Sequence, residues 1–101
     1  MTQLTGGNVV EIDSDKGVYA ISVAAELSGV DQQSLRLYES RGLLLPDRTE
    51  GGTRRYSPDD LDRLRRITDL LSRGVNLAGI GLVLDLEDRN QLLQDELDGL
   101  A

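Results

Sequence analysis

The chain has no cysteine, histidine, tryptophan or phenylalanine among its 101 residues. Without cysteine there is no disulfide, no thiolate metal site and no sulfur-based redox sensor. Without histidine the commonest metal ligand and the commonest general base are both missing. Three tyrosines are the only aromatic residues. Leu, Ile, Val and Ala must therefore build the core of what, at this length, reads as one domain with a small interior. No apolar run approaches the ~18 residues that cross a membrane. The start, MTQLTGGNVVEIDSDKG, lacks the charged and apolar segments of a secretory signal. The expectation is a cytoplasmic protein.

Positive charge is also scarce: the net charge is −7. Its distribution is uneven. Residues 34–66 hold eight Arg against six Asp or Glu, a balance of +2, and the remainder holds three basic residues against twelve acids, a balance of −9. Affinity for phosphate follows the local patch more than the total charge. The acidic ends nevertheless weaken non-specific attraction to DNA.

Catalysis has little foothold. The carboxylate pairs Asp59-Asp60 and Glu87-Asp88 read as a helix start and a polar surface. No glycine-rich loop follows a strand at nucleotide-site spacing. Neither an enzyme nor a metal or cofactor site is expected.

What is present is concentrated between Ser34 and Tyr56, SLRLYESRGLLLPDRTEGGTRRY. A short helix carries Arg36, Tyr38 and Arg41, and Gly42 stops it. Leu43-Leu44-Leu45-Pro46 leads to a stretch that turns at Glu50-Gly51-Gly52 into Thr53-Arg54-Arg55-Tyr56. A helix followed by a hairpin with an arginine-rich return strand has the shape of a winged helix. Guanidinium groups are the preferred donors to phosphate and to guanine edges. Taken singly, each feature has an ordinary reading: a hairpin turn, a solvated strand edge, or Arg36 paired with Glu39 or Asp31 on its own helix. Two arginine-bearing elements joined so as to lie side by side are harder to explain that way. Tyr38 and Tyr56 have two readings as well: a tyrosine ring can bury against the core while its hydroxyl reaches a phosphate, and both are expected to be partly structural.

Upstream, residues 1–17 read as a flexible tail. Ser22 is the expected cap of a first helix that includes Leu27. Gly29 suits the left-handed backbone of a tight turn, and Asp31 caps a second helix from Gln32 to Arg41. Leu35 and Tyr38 share a face with Val30 and Leu27. Downstream, Ser57-Pro58-Asp59-Asp60 is a strong helix start, and Leu61, Leu64, Ile67 or Thr68, and Leu71 form its apolar stripe. Arg63, Arg65 and Arg66 read as that helix's solvated face, and Gly74 ends it. Asn76 opens a short helix burying Leu77, Ile80, Val83 and Leu84. Beyond it, Leu86, Asn90, Leu93, Leu97 and Leu100 follow a four-three spacing that suits a coiled-coil seam. Two heptads are too few to pair alone.

The segment ISVAAELSGVDQQSLRLYESRGLLLPDRTEGGTRRYSPDDLDRLRRITDLLSRGVNLAGI, about Ile21 to Ile80, resembles the MerR-type transcription regulators. Its most specific parts are SLRLYESRGLL, the wing P-x-R-T-x-G-G-x-R-R-Y-S and the helix D-L-x-R-L-R-x-I. ISVAAELSGV and GVNLAGI look most like the heat-shock repressor branch, which controls chaperone operons. The resemblance implies a mainly α, winged helix-turn-helix head with a small β-hairpin wing over 18–84. A short C-terminal helix over 85–101 would dimerise or cap it. It places Arg36 and Tyr38 on the recognition helix facing DNA, and Thr53, Arg54, Arg55 and Tyr56 on the wing. Gln32, Gln33 and Ser34 begin the recognition helix and are the candidates for base edges, since Gln reads adenine.

Three departures from the family pattern stand out. Many members have a second tyrosine where this chain has Leu37. The C-terminal helix is short for the usual antiparallel coiled coil. The cysteines of metal sensors and a drug-binding domain are absent.

The partners implied are double-stranded DNA, a second copy as homodimer or DNA-induced oligomer, and a chaperone of the Hsp70 type as the source of the signal. The expected function is a nucleoid-associated, sequence-specific regulator, a repressor that binds and distorts promoter repeats. The rival readings are an excisionase-like, architectural head-to-tail DNA binder and a protein-interaction module that uses the acidic surface.

Overall fold

The structure, a computed structural model, describes residues 13–100. Four helices and one small hairpin follow one another: α1 (Ile21–Ser28), α2 (Gln32–Ser40), β1 (Asp47–Arg48), β2 (Arg54–Arg55), α3 (Pro58–Ser72) and α4 (Leu77–Leu100). The expected mainly α, winged helix-turn-helix architecture is what the chain adopts.

The first helix begins two residues earlier than a Ser22 cap requires. Ala20 occupies the cap position in extended backbone, and no side chain caps the helix. The cause lies in the preceding residue. The Tyr19 N–H donates to the Tyr56 carbonyl at 2.9 Å, and the Tyr56 N–H donates back to Tyr19 at 2.7 Å. That bridge fixes where the chain turns into the helix, so Ser22 falls inside the first turn. Leu27 departs from expectation as well: it is 59% exposed, whereas Val30, Leu35 and Tyr38 are buried.

Gly29, with φ of 75°, turns α1 into α2. Asp31 caps α2 as expected, its carboxylate accepting from the Ser34 N–H at 2.8 Å and the Ser34 hydroxyl at 3.0 Å. The helix ends at Ser40, one residue short of the expected Arg41. Gly42 N–H bonds the Glu39 carbonyl and Leu43 N–H the Tyr38 carbonyl, a double closure that needs the positive φ of Gly42.

In the hairpin, Asp47 faces Arg55 and Arg48 faces Arg54. The tip is closed by Gly52 N–H donating to the Thr49 carbonyl. Ser57 and Asp60 then form a reciprocal capping box at the start of α3.

Of the expected N-terminal tail, residues 1–12 lie outside the described residues. Its last residues are bonded to the head: Gly17 N–H donates to Asp47 at 2.8 Å, and Asp59 N–H donates to the Ser14 carbonyl at 2.9 Å.

The core gathers Ala24, Leu35, Leu44, Tyr56, Leu64, Ile67, Ile80 and Leu84, all essentially inaccessible. Every helix thus contributes to one interior. Ile80 and Leu84 are buried as expected, whereas Leu77 and Val83 are half-buried. The short helix expected after Asn76 and the leucine-bearing segment after it are one continuous helix of 24 residues. Asn76 accepts the Gly79 N–H at its start. From Asp85 onward every described residue is exposed. The distal half of α4 leaves the head and does not fold back on it.

Candidate nucleic-acid interface

The outward face of α2 carries Gln33, Arg36, Leu37 and Ser40, and Arg41 follows at the C-cap, all exposed. The opposite face holds the buried Leu35 and Tyr38. Gln32 and Ser34 are half-buried at the helix start. Both Asp31 oxygens are engaged by Ser34, and these hydrogen bonds hold the Asp31 carboxyl below its ordinary range.

The wing is attached to α2 through one residue. Glu39 accepts from Arg48 through one carboxylate oxygen and from Arg54 through the other. A single carboxylate thereby ties both wing strands to α2. Partial burial pushes the Glu39 carboxyl up, but the two guanidinium groups outweigh it and leave it below the ordinary value. The Arg54 guanidinium is correspondingly held above its own ordinary value by Glu39. Arg48 also donates to the Gly52 carbonyl at 2.9 Å, bracing the wing tip. The Thr53 N–H donates to the Thr49 hydroxyl across the same turn.

Arg36 pairs with neither Glu39 nor Asp31, because Glu39 is taken by the wing and Asp31 by its cap. Among the described residues, Arg36, Arg41 and Arg55 have no carboxylate within ion-pair distance. The arginines of α3 differ. Arg63 reaches Asp88 at 3.5 Å and donates to the Leu43 carbonyl, and Arg66 holds Glu87 at 3.0 Å and Asp88 at 3.1 Å. The expectation of a wholly solvated arginine face is therefore met by Arg65 alone; the other two fasten α4 to α3.

The tyrosines sit deeper than the arginines. Tyr38 is nearly covered and Tyr56 wholly so. The Tyr56 hydroxyl is buried without a hydrogen-bond partner among the described residues. Its burial pushes the phenol up, and the nearby Glu39 adds to that. Both rings support the surface from within. The structure thus ties Arg54 of the wing to α2 through Glu39, while Gln33 and Arg36 are exposed on that helix, Arg41 follows it, and Thr53 and Arg55 flank Arg54 in the wing; Tyr38 and Tyr56 are buried. It separates from them the exposed Leu86, Asn90, Leu93, Leu97 and Leu100 on α4.

Sequence reasoning missed Arg48 and considered Glu39 only as a partner of Arg36. The signal was in reach: an arginine at the wing's first strand and an acid at the end of α2, near the only turn that could bring them together. Among the described residues no cluster of acids forms a metal site, and no helix is long and apolar enough to cross a membrane.

The family model for MerR HTH family regulatory proteins matches residues 19–87. A Streptomyces coelicolor protein that carries the name heat shock protein HspR is 46% identical over 95 residues, covering 93% of this chain. The chain spans 63% of the length of that relative. Among solved structures, the N-terminal part of MtaN, the Bacillus subtilis multidrug transporter activator, superimposes with a TM-score of 0.64 at 30% identity over 82% of this chain and 88% of that one. HiNmlR, a MerR family regulator lacking the sensor domain and bound to promoter DNA, gives a TM-score of 0.64 at 29% identity over 79% of this chain and 71% of that one.

Proposed function

This chain belongs to the MerR HTH family of regulatory proteins, and from that membership we infer a DNA-binding transcription regulator that seats α2 in the major groove and its wing on the flanking backbone. The observation that carries the reading is the sorting of the arginines. Among the described residues, Arg36, Arg41 and Arg55 have no ion-pair partner, while Arg63 and Arg66 are neutralised by α4. Gln33 and Arg36 read base edges. Gln32 and Ser34 sit at the helix start against the groove wall. Arg41, Thr53, Arg54 and Arg55 meet phosphates. Tyr38 and Tyr56 hold these elements in place.

Two heads act together. The exposed Leu86, Asn90, Leu93, Leu97 and Leu100 on α4 pair with the same residues of a second copy, so that residues 18–84 bind and 85–101 dimerise. The dimer represses by bending or twisting the DNA between two half-sites. The likeness to HspR supports a heat-shock role, with an Hsp70-type chaperone delivering the signal; addition of such a chaperone then changes operator affinity.

Selection of binding sites from sheared genomic DNA tests the whole reading. Inverted repeats are expected, and Arg36→Ala is expected to lose at least tenfold in affinity, the scale of one base-reading side chain. Failure to enrich any sequence at low salt, or full binding by Arg36→Ala, overturns it. Direct repeats in place of inverted ones remove the two-fold dimer and keep the DNA-binding head.

A further inference from the structure

Leu37 is the large apolar side chain exposed on α2, at 40% of its surface. A lone exposed leucine is ordinary on a protein surface. Its surroundings here are not. It lies beside Arg36, one turn after Gln33 and one turn before Arg41, on the side of the helix opposite the buried Leu35. A shallow open hollow lies against it, lined by Asp31, Gln33 and Ser34. The Asp31 carboxylate, ionised and fixed by Ser34, repels a phosphate oxygen brought to that hollow. A base edge carries no such charge. In the major groove one base alone displays an apolar group, the 5-methyl of thymine.

We propose that Leu37 is a specificity-determining residue that packs against the 5-methyl group of a thymine in each half-site. The inference rests on the reading that α2 enters the major groove. Gln33, one turn away on the same ridge, then faces a neighbouring base pair, so the recognised step contains a thymine whose methyl is read by contact.

Deoxyuridine differs from thymidine by that methyl alone and keeps the Watson–Crick edge. Each thymine of the selected operator is replaced singly by deoxyuridine, and affinity for the wild-type protein is measured. One position per half-site is expected to lose about threefold to fivefold, the effect of removing one buried methyl-sized group. Leu37→Ala is expected to bind the unmodified operator more weakly and to show no further loss at that position. A flat deoxyuridine series overturns the proposal, as does a loss of the same size in Leu37→Ala. Because the series uses the wild-type chain, it stands whether or not the variant folds. Arg36→Ala separates the two levels. If it abolishes binding while the deoxyuridine series is flat, Leu37 alone is misassigned; if it binds as wild type, α2 is not in the groove and both readings fall.

Discussion

Glu39 neutralises charge on a surface that would otherwise attract phosphate more strongly, and in exchange it fixes where two wing arginines lie. Its carboxyl is held below the ordinary value of 4.5, burial opposing and the two arginines prevailing. A carboxyl lowered on folding contributes stability that is complete above its unfolded value and disappears as pH falls through its folded value. Glu39→Gln is therefore expected to cost about 1 kcal/mol near neutral pH, a figure reduced for the partial exposure of both arginines. The difference from wild type should shrink as pH falls below the ordinary carboxylate value and close once pH is below the lowered folded value, since both chains then carry a neutral side chain there. Urea denaturation at pH 7 and pH 3.5 measures both values, and an unchanged gap at the lower pH would show that the carboxylate is not the source. Gly17 makes a different kind of demand. A Cβ at this position would lie 2.5 Å from the Arg55 carbonyl oxygen and 2.9 Å from the Asp47 Cβ. Gly17→Ala must push the N-terminal segment off the wing, with an expected loss of about 1–3 kcal/mol. Thermal denaturation gives the loss, and amide exchange at Arg55 and Tyr56 reports whether the wing loosens.

At the scale of elements, helix ends are where local chemistry speaks most clearly. Ser57 and Asp60 satisfy each other's backbone donors at 3.0 and 2.9 Å. Ser57→Ala is expected to cost about 1 kcal/mol, as loss of a cap does, lowering the denaturation midpoint without changing its slope. The same local logic made Asp31, Gly29, Gly42, Gly74 and the Glu50-Gly51-Gly52 turn readable from residue order, because each acts on neighbours within a few positions. What escaped is non-local. Glu39 meets Arg48 and Arg54 across 9 and 15 positions, and Gly17 meets Asp47 across 30. Tyr19 pairs with Tyr56, and this long-range bridge, absent from any local pattern, displaced the expected Ser22 cap. Leu27 misled for a similar reason. Its spacing suits a core position, but Leu27 lies at a surface hollow beside Leu61, Arg65 and Thr68 of α3 and stays exposed. Arg63 and Arg66 read as solvated because their acids lie on a helix more than twenty residues away.

For the whole molecule, the salient asymmetry is between a head with a filled interior and a helix half that buries nothing. Leu86, Leu93, Leu97 and Leu100 are 59–83% exposed. On the proposed reading, apolar surface of that extent on one helix is the contact surface between two copies. Leu93→Asp combined with Leu97→Asp is expected to convert the protein to a monomer in sedimentation equilibrium while leaving helix content and the head's stability nearly unchanged. DNA affinity should then fall sharply for paired half-sites and little for a single one. A variant that stays dimeric would place the interface elsewhere.

The two arginines that clasp Glu87 and Asp88 acquire a geometric meaning once α4 is viewed as a lever arm. They grip the helix near its middle, and about 18 Å of helix extends beyond them at 1.5 Å per residue. A tilt of about 10° at the grip moves the far end by about 3 Å, close to the rise of one base pair in DNA. The clasp lies in water, where ion pairs weaken as salt rises. On the proposed pairing of two heads through α4, loosening it widens the range of half-site separations they span, so tolerance of operator spacing becomes a property of three surface ion pairs.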